Sequence, residues 1–275
     1  MLIGKLFKTK NKKIKNHFFS GLSFDSSSCK KNFIFFAIKG NLNDGHKYID
    51  KAIKNGARTV VHQKPFEGYR GKVLFLNYQN IRKILAIVSY KFFKKKPRNI
   101  IAVTGTNGKS SVSDFYYQIL TTNKTNVGSI GTLGIKFKNK LIPLNNTTLD
   151  SINLAKYLNF LKEKKINNVI LEASSHGLKQ HRLDGLNITS AIFTNFSHDH
   201  LDYHKNLKEY LNCKLYLLKY LIKKNSLLIT DTSIKEFKKI SDISKKRKLR
   251  LKTILDERSD IQLIQHNYEG EKQKI

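Results

Sequence analysis

Ile100-Ile101-Ala102-Val103-Thr104-Gly105-Thr106-Asn107-Gly108-Lys109-Ser110-Ser111 decides how this chain reads. The apolar run at 100–103 is a short buried strand, Gly105 bounds it, and a helix begins close to Lys109. Strand, Gly-rich turn and helix in that order make a phosphate site: glycines let backbone N–H groups approach, and a helix N-terminus favours negative charge. Lys109 can reach the β- and γ-phosphates of a nucleotide, and the Ser110 hydroxyl can ligate Mg²⁺. Gly105, Thr106, Asn107, Gly108, Lys109, Ser110 and Ser111 are therefore the expected ATP-binding residues. The spacing departs from G-x-x-x-x-G-K-[ST], because Val103 stands where the first Gly would be. An ordinary Gly turn is the competing reading, and the strand-turn-helix context favours the nucleotide site.

Upstream, residues 32–38 read as a strand, 41–45 as a turn, 48–55 as a helix, 58–62 and 72–76 as strands, and 81–93 as an amphipathic helix. The basic break Lys94-Lys95-Lys96-Pro97 follows, so residues 1–96 form a small N-terminal α/β domain. Downstream, 152–164 has helical periodicity, 168–171 and 191–194 read as strands, and 207–223 as a helix. A strand at 227–230, a helix at 233–245 and a strand at 249–255 complete the series. Strands alternating with helices predict a mostly parallel sheet covered on both faces. The fold class is α/β, with a P-loop-type central domain over 97–256. Residues 256–275 are polar without a clear element, and 257–275 is the tail where a further domain would begin.

Composition excludes several classes. No apolar run approaches the roughly 18 residues of a membrane span, and the N-terminus lacks the apolar core of a secretory signal. The expected location is cytoplasmic, with no membrane partner. Cys29 and Cys213 lie far apart, without metal-ligand spacing. The 52 Lys+Arg against 20 Asp+Glu could serve a polyanion, but the lysines are scattered with abundant Asn, Ile, Phe and Tyr. Compositional drift accounts for that pattern, and no nucleic-acid partner is expected.

Two further stretches carry chemistry. Leu171-Glu172-Ala173-Ser174-Ser175-His176-Gly177-Leu178-Lys179-Gln180-His181-Arg182 follows a buried strand, so its polar groups gather where open α/β sheets bind ligands. Thr194-Asn195-Phe196-Ser197-His198-Asp199-His200-Leu201-Asp202-Tyr203-His204 reads alone as either a metal site or a polar loop.

Gly-Thr-Asn-Gly-Lys-Ser at 105–110 resembles the compact P-loop of the Mur ligase and folylpolyglutamate synthetase superfamily. The 172–182 stretch is similar to the Glu-x-Ser-Ser-His-x-Leu-x-Gln-x-Arg signature of the muramoyl-peptide ligases within it. The 194–204 stretch resembles the family's Thr-Asn-x-x-x-Asp-His-Leu-Asp-Tyr-His segment, and 128–132 its Gly-x-Ile-Gly-Thr hairpin. The resemblance implies Mg²⁺ on Ser110 and Glu172, and a second metal on His200 and a carbamylated Lys214. It makes Lys109, Glu172, His200 and Lys214 the catalytic group. Ser174, Gln180, Arg182 and the Asn146-Thr147-Thr148 loop would hold the muramoyl-peptide. Asp25-Ser26-Ser27 and Gly40…Asp44-Gly45-His46 resemble the segments that bind the uridine end, with Ser26 a contact and Ser27 in place of the family's Arg.

The implied activity is an ADP-forming, ATP-dependent amide ligase of peptidoglycan synthesis. It adds a diamino acid, meso-diaminopimelate or L-lysine, to UDP-N-acetylmuramoyl-L-Ala-D-Glu through an acyl phosphate. The third-domain Asp-Asn-Pro-Arg-type motif is not found, which predicts a truncated ligase or half of a split one completed by a separate chain. A folylpolyglutamate synthetase-like ligase and a non-catalytic UDP-sugar- and nucleotide-binding remnant are the alternatives.

Overall fold

The computed structural model describes residues 1–9, 11–40, 43–144, 146–199, 202–255, 257, 259–262, 264, 267–269 and 272–274. It divides into two compact units. The first takes Met1–Lys94, Asp150–Lys156 and Gln180–Gly185, and the second takes Lys95–Leu149, Tyr157–Lys179 and Leu186–Ile275.

In unit 1, the elements are α1 (Lys12–Lys15), β1 (Gly21–Ser23), β2 (Phe33–Phe36), α2 (Ile49–Lys54), β3 (Ala57–His62), β4 (Gly68–Arg70), β5 (Val73–Asn77) and α3 (Ile81–Phe92). The sheet runs β1-β2-β3-β5-β4, with only β4 antiparallel to its neighbour. Successive side chains of a strand point to opposite faces, and this sheet is covered on both. Ile34, Phe36, Val61, Leu74 and Leu76 join Ile81, Leu85 and Val88 of α3 in one core. Phe35, Ala37, Val60, Val73 and Phe75 join Ala52 of α2 in the other. The Asn80 side chain caps α3 by accepting from Lys83 N at 2.9 Å.

Unit 2 opens with β6 (Asn99–Thr104), α4 (Lys109–Thr122), β7 (Val127–Gly131), β8 (Gly134–Phe137) and β9 (Lys140–Ile142). The chain continues through α5 (Ser151–Glu163), β10 (Asn168–Glu172), α6 (Ser175–Lys179), β11 (Ile188–Phe193) and α7 (Leu207–Tyr216). It ends with β12 (Ile222–Asp231), α8 (Phe237–Arg247), β13 (Arg250–Leu255), β14 (Ile261–Gln262), β15 (Asn267–Glu269) and β16 (Lys272–Lys274). The nine-stranded sheet is ordered β14-β13-β12-β11-β6-β10-β7-β8-β9, parallel from β14 to β7 and antiparallel at β8 and β9. The expected α/β class and mostly parallel sheet are what the chain adopts.

Strand β6 is central, flanked by β10 on one side and β11 on the other. The chain leaves β6 toward β7, returns to insert β10, then crosses to β11, so the winding reverses around β6. Such a switch point opens a crevice at the strands' carboxyl ends, where doubly wound sheets take ligands.

The structure corrects the reading at two places. The predicted helix over 207–223 stops at Tyr216, passes through a π turn over Leu217–Leu221, and enters β12 at Ile222. The 256–275 stretch, read as featureless, carries β14 on the main sheet and the antiparallel pair β15–β16. No helix among the described residues is long and apolar enough to cross a membrane.

Candidate functional site

The carboxyl ends of β6, β10 and β11 bring the unit 2 motifs together. Glu172 pairs with Val103 across β10–β6, and Phe193 pairs with Thr104 across β11–β6. The P-loop, the 172–179 segment and the loop after β11 therefore leave the sheet at one edge.

The P-loop is pinned to the β11 exit. Thr106 N donates to the Asn195 carbonyl at 3.0 Å, and Asn107 N to Asn195 Oδ1 at 2.8 Å. The Thr194 hydroxyl donates to the Asn107 carbonyl at 2.6 Å. Gly105 has φ +150, and a Cβ there would lie 1.9 Å from Thr194 Oγ1, so the close approach requires glycine. The Thr106 hydroxyl accepts from Ser197 N at 3.0 Å and from the buried Tyr210 hydroxyl at 3.3 Å.

Lys109 opens α4 and folds back over the loop, donating from Nζ to the carbonyls of Gly105 at 3.0 Å and Thr106 at 2.7 Å. Burial lowers its pKa, while Glu172 and Asp199 pull the other way. One residue on, Ser110 Oγ donates to Glu172 Oε2 at 3.0 Å. Ser111 is exposed in the first turn of α4.

Glu172 is the centre of the arrangement, 2% exposed at the end of β10. Besides Ser110, its carboxylate accepts from Thr132 N at 2.8 Å on Oε1 and from the Thr132 hydroxyl at 3.1 Å on Oε2. These donors are neutral hydroxyl and amide groups, and none of them is a cation. A Cβ on Gly131 would sit 2.1 Å from Glu172 Oε1, so glycine there makes the room. The Thr147 hydroxyl lies 3.1 Å from that of Thr132. Thr148 Oγ1 donates to the Glu172 carbonyl at 2.8 Å and accepts from Ser174 N at 3.0 Å, with Ser174 Oγ also 3.0 Å away. Asn146 is exposed at the start of this loop.

Lys214, from α7, is 1% exposed. Its Nζ donates to the Gly105 carbonyl at 2.5 Å and lies 4.5 Å from the centre of the Tyr210 ring. Burial, then the nearby Lys109 charge, brings its pKa down to about 7. A substantial fraction of the amine is thus neutral near pH 7, unlike a solvated lysine. His200 lies outside the described residues, so its expected role beside Lys214 has no geometry here. Among the described residues no group of three or more His, Cys, Asp and Glu side chains could hold a metal. The oxygen pair of Ser110 and Glu172, both hard donors, does suit Mg²⁺.

Three of the expected residues belong to unit 1. Ser26 is buried in a short turn after β1, its carbonyl accepting from Asn55 Nδ2 at 2.9 Å, and Asp25 Oδ1 accepts from Ser27 N at 2.9 Å. His46 Nε2 accepts from Gln63 N at 3.3 Å, so its proton is on Nδ1, which donates to Asp44 Oδ1 at 2.7 Å. Arg182 donates from Nε and Nη2 to Gln180 Oε1 at 3.2 and 2.9 Å. Sequence reasoning missed Thr132 as a holder of Glu172, and Thr194, Asn195 and Tyr210 as holders of the P-loop. Thr132 already closed one quoted motif and Thr194 opened another, but nothing in their spacing assigned them a partner.

Comparison with known proteins agrees with this geometry. Residues 103–275 match the model of the Mur ligase middle domain, and residues 19–93 that of the Mur ligase family catalytic domain. The UDP-N-acetylmuramoyl-L-alanyl-D-glutamate--2,6-diaminopimelate ligase of Wigglesworthia glossinidia brevipalpis is 39% identical over 217 residues, 74% of this chain and 44% of the relative. The enzyme of the same name from Rickettsia prowazekii (strain Madrid E) is 35% identical over 257 residues, 92% of this chain and 53% of the relative. A solved structure titled as a UDP-N-acetylmuramoyl-L-alanyl-D-glutamate--2,6-diaminopimelate ligase superposes with TM-score 0.84 at 24% identity, covering 98% of this chain and 55% of that one. The chain spans about half the length of the curated relatives it matches. With the middle-domain match running from the P-loop strand through all the motifs of unit 2, this chain belongs to the Mur ligase family.

Proposed function

We propose that this chain carries the ATP site and the UDP-muramoyl-peptide-binding residues of an ATP-dependent, ADP-forming ligase. That ligase joins a diamino acid to UDP-N-acetylmuramoyl-L-Ala-D-Glu in peptidoglycan precursor synthesis. The observation that carries the reading is the convergence of Lys109, Ser110 and Glu172 at the switch point of the unit 2 sheet. A nucleotide's phosphates meet the loop's N–H groups and the start of α4, and Lys109 exchanges the Gly105 and Thr106 carbonyls for phosphate oxygen.

The reaction joins a substrate carboxylate to the γ-phosphoryl group, releasing ADP, and the incoming amine then displaces phosphate from the acyl phosphate. Catalysis of this kind is mostly positioning and neutralisation of charge. Ser110 and Glu172 would hold Mg²⁺, which when bound neutralises phosphate charge. The neutral form of Lys214 can take up CO₂, forming an N–C bond and releasing a proton, which turns the amine into an anionic oxygen donor; His200 joins it in this reading. Asn146, Thr147, Thr148, Ser174, Gln180 and Arg182 bind the muramoyl-peptide, and Ser26 its uridine end. The names of the relatives favour diaminopimelate over L-lysine. The 172–182 signature favours this reading over a folate-type ligase.

Calorimetry on the purified chain tests it. Mg²⁺-dependent ATP binding is expected, lost by about 100-fold or more in Lys109→Ala, together with binding of UDP-muramoyl-dipeptide. An affinity for ATP indifferent to Lys109 would overturn the P-loop assignment. ADP release with dipeptide and a panel of diamino acids then separates an active ligase from a binding remnant and reads the amino-acid preference.

A further inference from the structure

Gln180 Oε1 accepts from a second guanidinium besides Arg182: Arg82 Nη1 lies 3.3 Å away. The other arm of Arg82, Nη2, donates to the Lys39 carbonyl at 3.4 Å. Arg82 is the second residue of α3, and Tyr90, eight positions along the same helix, donates from its hydroxyl to the Arg182 carbonyl at 2.7 Å. The Ser151 hydroxyl also reaches that carbonyl, at 3.2 Å. Helix α3 thus grips the 180–182 segment at two points, by a side chain and by the backbone, all within unit 1.

An amide side chain has two faces of opposite hydrogen-bonding sense, and only its oxygen can accept. With two guanidiniums on that oxygen, the orientation of Gln180 is determined: Oε1 faces Arg82 and Arg182, and the NH₂ group faces away from them. We propose that Arg82 is a positioning residue for Gln180, turning its NH₂ group, beside the Arg182 guanidinium, toward a carboxylate of the peptide substrate. The Arg182 guanidinium beside it supplies a positive charge that would draw an anionic group. This rests on the reading that Gln180 and Arg182 bind the muramoyl-peptide.

Two measurements on the full chain test it. In the ligand-free protein labelled with ¹⁵N-glutamine, the Gln180 side-chain NH₂ pair is assigned by its loss in Gln180→Glu. Arg82→Ala should shift that pair and speed its exchange with water; an unaltered pair sinks the positioning role whatever the chain binds. The second is a double-mutant cycle on affinity for UDP-muramoyl-dipeptide. Arg82→Ala and Gln180→Ala should each weaken binding by about tenfold, and the double variant should be no weaker than Gln180→Ala alone. Multiplying losses would show Arg82 acting independently and overturn the proposal, while unchanged ATP affinity certifies the fold of each variant. Should the wild-type chain bind no UDP-muramoyl-dipeptide, the functional reading and the ligand half of this proposal fall together, and the NMR result alone decides whether Arg82 orients Gln180.

Discussion

Lys214 shows how burial, aided by a neighbouring positive charge, changes the chemistry of a lysine. Its pKa is about 7 in the folded chain, against about 10.4 for a lysine in water. Between those values the unfolded chain binds the extra proton, so stability rises with pH across the window; below about 7 the buried charge weighs fully on the fold. Lys214→Met should therefore have the higher Tm at pH 6, and the gap should shrink toward pH 10; parallel Tm curves would contradict the shifted pKa. Gly131 makes a complementary case, since a methyl group there collides with Glu172 Oε1. Gly131→Ala should displace the carboxylate from Ser110 and weaken Mg²⁺-dependent ATP binding by at least about tenfold, the scale of a lost charge-assisted bond, while metal-free nucleotide affinity changes little. Calorimetry with and without Mg²⁺ reads the difference. None of this was visible in the sequence, where Lys214 has the same local pattern as the lysines around it. Burial depends on the packing of α7 beneath the P-loop, and only the family resemblance singled that lysine out.

At the scale of elements, the strand-turn-helix of the P-loop was legible because its signals are local: an apolar run, two glycines and a helix start. The helix over 207–223 was overextended for a physical reason. Leu217, Leu218, Leu221 and Ile222 continue the apolar spacing of α7, and periodicity cannot tell a buried helix end from the first residue of a buried strand. The short N-terminal pieces α1 and β1 escaped because three or four residues carry too little pattern. The clamp of Thr194 and Asn195 on the P-loop escaped because its partners are about 90 positions apart. Asn195→Ala removes the acceptor of Asn107 N and should cost about 1–2 kcal/mol. Chemical denaturation checks that figure, and a weaker ATP affinity is expected alongside, since the loop loses its template.

For the molecule as a whole, the formal charge of +32 sets up a repulsion that acts across the entire fold. Like charges repel across the surface, and salt shortens their reach from about 10 Å at 0.1 M to about 3 Å at 1 M. Raising NaCl from low to molar concentration should raise Tm, and phosphate or sulfate should raise it further at equal ionic strength; a Tm that falls with salt would mean local ion pairs dominate. The composition of unit 1 has a different consequence. Its body is Met1–Lys94, yet it also incorporates Asp150–Lys156 and Gln180–Gly185, and the buried Tyr90 hydroxyl bonds the Arg182 carbonyl. A gene cut after the Lys94-Lys95-Lys96-Pro97 break would therefore not release a finished module. Recombination at that joint would strand two short segments of unit 1 in the other piece, so exchange between relatives succeeds only where 150–156 and 180–185 travel with the front of the chain.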